Sequence, residues 1–284
     1  MDIVYQTRFS YRGLSGWRAP EASDPALLYD PERLAHRFAL FERITLPSLL
    51  SQQDGDFRHV VLSGAGMPRP WRLRLRELCL DTLGDGRAAV IFARPGRAAR
   101  PFKRHMRRSF PRAAPACQVV LDDDDALAAG FTGLLRAEAG AAAAGMAPGS
   151  YLYLSFPTGF SLDLRPGRSP ALHPRNVPWT NLGLTLLAAP DVRTHPYATS
   201  HRMIGRRHPS RLLAEGRPLY LRCVHGRNDS RALLGGRALA GAELGAAMRL
   251  FPFLPGLAGG GPAARAPSAA PRQDSALAQA GSAP

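Results

Sequence analysis

Four consecutive aspartates, Asp122 to Asp125, follow the apolar run Gln118-Val119-Val120-Leu121 and precede the helix-like stretch Ala126-Leu127-Ala128. Two like charges about 4 Å apart repel by roughly 4 kcal/mol at an effective dielectric near 20. Such a cluster is comfortable when it is well solvated, partly protonated or bound to a cation. Carboxylate oxygens suit Mg²⁺ or Mn²⁺, and Mg²⁺ is commonly shared between one or two carboxylates and substrate phosphates. The carboxyl end of a buried strand is also where ligands sit in open α/β sheets. An ordinary alternative is a solvated acidic turn in which Asp125 caps the following helix. In an extended backbone Asp122 and Asp124 would share one face and Asp123 and Asp125 the other, so only a subset could meet one metal.

Other residues offer complementary chemistry. His225 lies just past the predicted strand Leu219–Val224 and precedes Gly226 and the polar run Arg227-Asn228-Asp229-Ser230. The basic segment 100–112 carries Lys103, Arg104, Arg107 and Arg108; Arg104 is a candidate for binding a diphosphate, since a guanidinium presents paired donors to phosphate. Asp163, Asp191 and Asp229 are candidate general bases in the second half of the chain, with nothing to rank one far above the others. Trp179 and Asn181 offer stacking and hydrogen bonding to a ligand, although an aromatic in a loop is more often just packing.

The elements that must position these groups follow from periodicity. Ile3–Thr7, Phe57–Leu62, Ala88–Phe92 and Gln118–Leu121 read as strands. A helix starts at Asp30-Pro31-Glu32, with Asp30 as N-cap, and Leu34, Phe38 and Phe41 form its core-facing stripe until Pro47 ends or kinks it. Trp71–Leu83 and Ala126–Ala139 read as further helices. Alternating strands and helices predict an α/β domain with a mainly parallel central sheet flanked by helices. Beyond Gly149, Tyr151–Phe156 and Gly159–Leu164 read as paired strands around Pro157-Thr158. A loop-rich section with Trp179 follows, then a short helix near His201–Ile204. The expected domain covers residues 1–254. Residues 255–284, rich in Gly, Ala and Pro, have the composition of a disordered tail.

Composition bounds the partners. The chain of 284 residues has a formal charge of +15, with Lys103 its only lysine among 37 basic residues. Arg, Ala, Gly and Pro share GC-rich codons, so the basic bias is weak grounds for a nucleic-acid partner. Three cysteines without metal-ligand spacing fit a reducing compartment. No signal-peptide layout or membrane-spanning run is evident. The expectation is a soluble cytoplasmic protein with no nucleic-acid partner, and peripheral membrane contact stays open.

Taken together, the apolar strand, the Asp-rich DxD element and the upstream βαβ half resemble a GT-A type glycosyltransferase. The wider pattern is similar to the bacterial rhamnosyltransferase family. The matching segments are Thr7-Arg8-Phe9-Ser10, His36-Arg37-Phe38 to Pro47-Ser48-Leu49, Leu121–Leu127 and Val224–Ser230. The resemblance implies a GT-A-like nucleotide-diphospho-sugar transferase fold. The activity it implies is transfer of a sugar, rhamnose by family name alone, from a nucleotide-diphosphate donor to a glycan or small-molecule acceptor. It further implies Mn²⁺ or Mg²⁺ as cofactor, held in the region of Asp123, Asp124 and Asp125, with His225 as an additional ligand. Asp122 would serve the ribose or support the ligands, Arg8 would meet the phosphates and Thr7 the base. Two other classes fit parts of the pattern. A nucleotidyltransferase also uses paired aspartates and metal, but only Gly13 and Gly16 follow the first strand where a triphosphate loop would be expected. An arginine-rich nucleic-acid-binding protein leaves the aspartates unexplained.

Overall fold

In the computed structural model, residues 1–13, 24–111, 114–213, 216–228 and 234–255 are described. In chain order the elements are β1 (Asp2–Arg8), α1 (Pro25–Leu28), α2 (Pro31–Leu40), a π-helical turn (Phe41–Thr45) and α3 (Leu46–Leu50). Next come β2 (Arg58–Gly64), α4 (Arg69–Leu83), β3 (Ala88–Ala93), α5 (Ala99–Ser109), β4 (Ala116–Val120) and β5 (Ala126–Leu127). The second half holds α6 (Phe131–Ala143), β6 (Tyr151–Ser155), β7 (Thr158–Asp163), β8 (Ala171–Asn176) and β9 (Thr185–Ala188). It closes with α7 (Ile204–Arg207), β10 (Ser210–Leu212), β11 (Tyr220–Val224) and α8 (Gly241–Leu250).

The expected architecture is present: a mainly parallel sheet with helices on both faces. Its order is β10-β6-β9-β4-β1-β2-β3, and β9 is antiparallel to both its neighbours. Alternation along β1 explains the double cover. Ile3 and Tyr5 join the core with Phe38, Leu75 and Phe131, from α2, α4 and α6. Val4 faces the other way, onto Phe102 and Met106 of α5. The chain runs outward from β1 through β2 to β3, then returns to lay β4 on the other side of β1. Carboxyl ends flanking such a reversal open a crevice, the usual ligand position in open α/β sheets. Here those ends are Arg8 and the acidic run.

A second sheet, β5-β11-β7-β8, is smaller. It carries the main corrections to the sequence reading. Ala126 and Leu127 form a strand pairing antiparallel with Leu221 and Tyr220, and the helix begins only at Phe131, N-capped by Gly130. Asp125 therefore caps no helix. Tyr151–Phe156 and Gly159–Leu164 do form strands, but they do not pair with each other. β6 joins β9 and β10 in the large sheet, whereas β7 joins β8 and β11 in the small one. Pro157 lies where the chain leaves one sheet for the other. Gly159 permits the second sheet to close, since a Cβ there would meet the Tyr220 carbonyl oxygen at 2.5 Å.

Pro47 does not end the first helix. The π turn just before it carries an N–H of Leu46 bonded to the Phe41 carbonyl, and the wider turn accommodates a proline that removes one backbone donor. The helical segment thus continues to Leu50. Leu73 of α4 is exposed. Of the expected tail, residues 255–284, only Pro255 is among the described residues.

Candidate active site

The acidic run is the crossover between the two sheets. β4 ends at Val120 in the large sheet and β5 begins at Ala126 in the small one. A turn closes between them, with the Asp125 N–H donating to the Asp122 carbonyl at 3.3 Å. The backbone is turned rather than extended, so the alternation expected of these side chains does not hold. Asp123, Asp124 and Asp125 are buried, and only Asp122 is partly open to solvent.

Buried carboxylates need cations or donors, and two arginines supply them. Arg37 of α2 forks onto both oxygens of Asp123, and its Nη1 donates to Asp124 Oδ2 at 3.2 Å. Asp125 turns the other way. Its Oδ1 accepts the Cys223 N–H at 2.8 Å, and its Oδ2 accepts from Arg222 at 3.1 Å. The π turn helps to seat the run, because Thr45 Oγ1 donates to the Asp125 carbonyl at 2.9 Å. Arg37 and Arg222 were not singled out in the sequence. The signal was present only in general form: several buried aspartates require as many cations, and an arginine-rich chain does not say which.

His225 reaches the same turn from the end of β11. Its Nε2 lies 3.0 Å from Asp124 Oδ2, bringing together residues 101 positions apart. Asn228 fixes the loop, accepting the His225 N–H at 2.9 Å and donating to the Cys223 carbonyl at 2.8 Å. Gly226 takes a φ of 76° that favours glycine. Behind His225 stands a second imidazole that sequence reasoning gave no role, with His36 Nε2 at 3.1 Å from His225 Nδ1.

The environment separates the neighbouring carboxylates. Burial works against the charge on Asp124, but Arg37, the His225 hydrogen bond and Arg222 outweigh it and hold this carboxyl well below its ordinary range. Burial lifts Asp125 well above that range; Asp124 and Asp122 push the same way against the pull of Arg222. Burial, with help from the neighbouring charge of His225, lowers His36 to about 4 and keeps it neutral near pH 7.

Along the same edge, Arg8 ends β1 with its guanidinium 4.7 Å from the centre of the Tyr197 ring. Its Nε is buried and makes no hydrogen bond. Tyr197, not anticipated from sequence, ties its hydroxyl to the Gln6 carbonyl at 2.8 Å. Ser10 follows at a φ of 43°, a left-handed turn that is costly for a non-glycine residue and recurs at functional sites. Thr7 is turned inward, its hydroxyl 2.9 Å from His59 Nε2, which leaves it poorly disposed to meet a base. Arg104 lines a recess of about 300 Å³ beside the end of β3, together with Arg94, Arg97, Arg100, Gly96 and Tyr11. The four arginines are exposed, and among the described residues none of them forms an ion pair. At about 4.8 Å per strand, β3 lies roughly 14 Å from β4.

The three candidate bases separate. Asp163 ends β7 opposite Val224, the residue before His225. Its carboxylate is clamped by Arg165 at 2.7 and 2.8 Å, which holds it below its usual range. Asp191 is exposed and follows β9, whose last residue pairs with Ala116 at the start of β4. It therefore branches from the opposite end of the sheet from the acidic run. Asp229 lies outside the described residues. Trp179 packs against Gly205, and its carbonyl is engaged by His201.

A family profile described as "Putative rhamnosyl transferase" matches residues 2–237. The chain belongs to this family. The match takes in both sheets, the acidic turn and His225. No curated protein matches the chain. Among solved structures, it is similar to S. aureus TarS residues 1–349, at 11% identity and a TM-score of 0.40, over 78% of this chain and 60% of that one. The same fragment in complex with UDP gives 11% identity and 0.41, over 79% and 61%. The rhamnosyl transferase family member described here thus spans about three fifths of the TarS fragment's length.

A carboxylate oxygen of Asp124 is a donor type that would suit Mn²⁺ or Mg²⁺, with the His225 imidazole nitrogen beside it. Asp124 Oδ2 and His225 Nε2 lie 3.0 Å apart, at hydrogen-bond distance. Among the described residues, no three His, Cys, Asp or Glu side chains form a cage of their own. The remaining positions would fall to water and to ligand oxygens, as is usual for Mg²⁺.

Proposed function

We propose that this family member is a GT-A-like glycosyltransferase that moves a sugar from a nucleoside-diphosphate donor to an acceptor hydroxyl, with Mn²⁺ or Mg²⁺ held by Asp124 and His225. The observation that carries this reading is the meeting of those two side chains at the carboxyl edge of β4, beside the reversal of strand order. When bound, the cation would supply Lewis-acid stabilisation for the departing diphosphate. The residues of the chain account for the rest. Arg37 orients Asp123 and Asp124 and helps to keep Asp124 charged. Asp122, the most exposed of the four, is available to the donor's ribose. Arg8 and the recess containing Arg104 offer guanidinium donors to phosphate along the same edge. Preorganised charge of this kind needs no reorganisation as the bond breaks.

Asp163 stands near enough to His225 in register to face an acceptor, but a carboxylate clamped by Arg165 is a weak base until that clamp opens. Rhamnose as the transferred sugar rests on the family description. The reading is tested by incubating the protein with UDP-, dTDP- and GDP-sugars, with and without Mn²⁺, and following release of the nucleoside diphosphate. Metal-stimulated release from at least one donor, abolished by Asp124→Asn, is expected. No release from any donor under either condition would count against it.

A further inference from the structure

The two faces of the large sheet differ in how their covering layers are charged. The register of β1 with β4 puts Val4 and Val120 on one face. That face is covered by α5, whose Phe102 and Met106 pack with Val4, and by the stretch ending in α7, whose Ile204 packs with Val120. The two covers are joined. Lys103 Nζ donates to the Arg193 carbonyl at 2.7 Å, and the Phe102 ring stacks on Tyr197 with centroids 5.3 Å apart. No Asp or Glu lies between Asp85 and Asp122 in the sequence, and none between Asp191 and Glu215. The first of these stretches holds eight arginines and Lys103, the second five arginines. Arg100, Arg104, Arg107 and Arg108 on α5 and Arg206 and Arg207 on α7 are all exposed. Among the described residues none of the six forms an ion pair. The helical layer on the opposite face mixes the signs, with Glu32, Glu42, Glu77 and Asp81 exposed among its arginines. Codon bias enriches a whole chain in arginine, but it does not remove acids from the two segments that meet on one face.

We propose that the face covered by α5 and α7 is a docking surface for an anionic lipid bilayer. The inference goes beyond the transferase reading and does not require the metal. Three observations favour a bilayer over other polyanions. The charge is spread across the outside of a layer, α5 alone running about 16 Å at 1.5 Å per residue, so it matches an extended surface rather than a single phosphate. No aromatic side chain is exposed among the described residues, so the face lacks the platforms on which single-stranded nucleic acid stacks. The apolar side of α5 is already buried in the core, and among the described residues no helix is long and apolar enough to cross a membrane. The contact is therefore peripheral and rests on charge. Each basic side chain near an anionic surface tightens binding about fivefold, and salt screens the effect. Because α5 begins just beyond the carboxyl end of β3, the edge that carries the acidic turn lies at the rim of the docked face.

The test is co-sedimentation of the full chain with phosphatidylcholine vesicles, with and without about 30% phosphatidylglycerol, at about 0.1 M salt. Retention on the anionic vesicles alone is expected, with release at about 0.5 M salt. Arg107→Gln/Arg108→Gln and Arg206→Gln/Arg207→Gln should each weaken retention by roughly tenfold or more. Arg69→Gln/Arg76→Gln on α4, with the same change in net charge on the opposite face, should stay within about threefold of the parent. All six positions are exposed, and thermal midpoints close to the parent's are expected. A fluorescent single-stranded oligonucleotide should bind more weakly than the anionic vesicles at the same salt. No retention on anionic vesicles, an equal loss in the α4 pair, or tighter binding to the oligonucleotide overturns the proposal. Each of these outcomes leaves metal-stimulated release of nucleoside diphosphate in solution untouched, so failure of docking and failure of the transferase reading are told apart.

Discussion

Two regions on one edge of the sheet hold concentrated charge and treat it in opposite ways. At the crossover between the sheets, three of four aspartates are buried and engaged by Arg37, Arg222, His225 and a backbone N–H. At the end of β3, four arginines stand exposed around a recess of about 300 Å³. The difference separates charge that holds the fold from charge available to a ligand. Asp122, partly open to solvent, belongs with the second group, and Asp124, buried with the first, is the residue proposed to hold a cation.

The largest effect should come from breaking the first region. Arg37→Met leaves two buried carboxylates without their main cation, and chemical denaturation should show a loss of about 3–5 kcal/mol. Arg100→Met in the recess should change stability by no more than about 0.5 kcal/mol, as for other exposed sites. Equal losses at the two positions would erase the distinction. Binding should respond in the reverse order. Replacing Arg100 and Arg104 together by alanine is expected to weaken UDP binding by roughly tenfold or more, since a hydrogen bond to a charged group contributes about 1.5–3 kcal/mol. Calorimetry with parent-like stability and that loss would sharpen the comparison.

Acid should act through buried imidazoles elsewhere in the fold. Burial lowers both His59 and His195 to about 3. The unfolded chain therefore binds more protons than the native one between roughly pH 3 and 6.5, so stability rises with pH across that window and is lost as pH falls. A denaturation midpoint that drops from pH 7 to pH 4 is expected, and a flat profile would contradict it. The smallest effect is that of salt. Raising it from 0.05 to 0.5 M should weaken UDP binding several-fold at the exposed recess, yet leave the Arg37 contribution to stability nearly unchanged.

Much of the first half was legible in the sequence because each strand there is a short apolar run bounded by turn residues. Asp30-Pro31 marks a helix start that the structure keeps, with Asp30 accepting the Arg33 N–H at 2.9 Å. The pairing of strands was not legible. Tyr151–Ser155 and Thr158–Asp163 alternate as strands should, but local pattern says nothing about partner, and Pro157-Thr158 marks a change of sheet as readily as a hairpin. Ala126-Leu127 looked helical for lack of β-branched residues, and became a strand because β11 offers it backbone partners. β8, with His173, Pro174 and Arg175, and β9 lay hidden in a section read as loop. α8, rich in Ala and Gly, gave too weak an amphipathic signal to be noticed. At the site, the aspartates and His225 were visible by type and position. Arg37 and Arg222 were not, since a buried counter-ion is defined by three-dimensional proximity and the chain is rich in arginine.

The proposed chemistry of the crossover turn requires Asp124 and His225 to hold a cation beside a bound diphosphate. Calorimetric titration of UDP with and without Mn²⁺, on the parent and on Asp124→Asn, tests this most directly. Binding that tightens with Mn²⁺ in the parent and loses that gain in the variant is the predicted result. UDP affinity indifferent to both the metal and the substitution would contradict it.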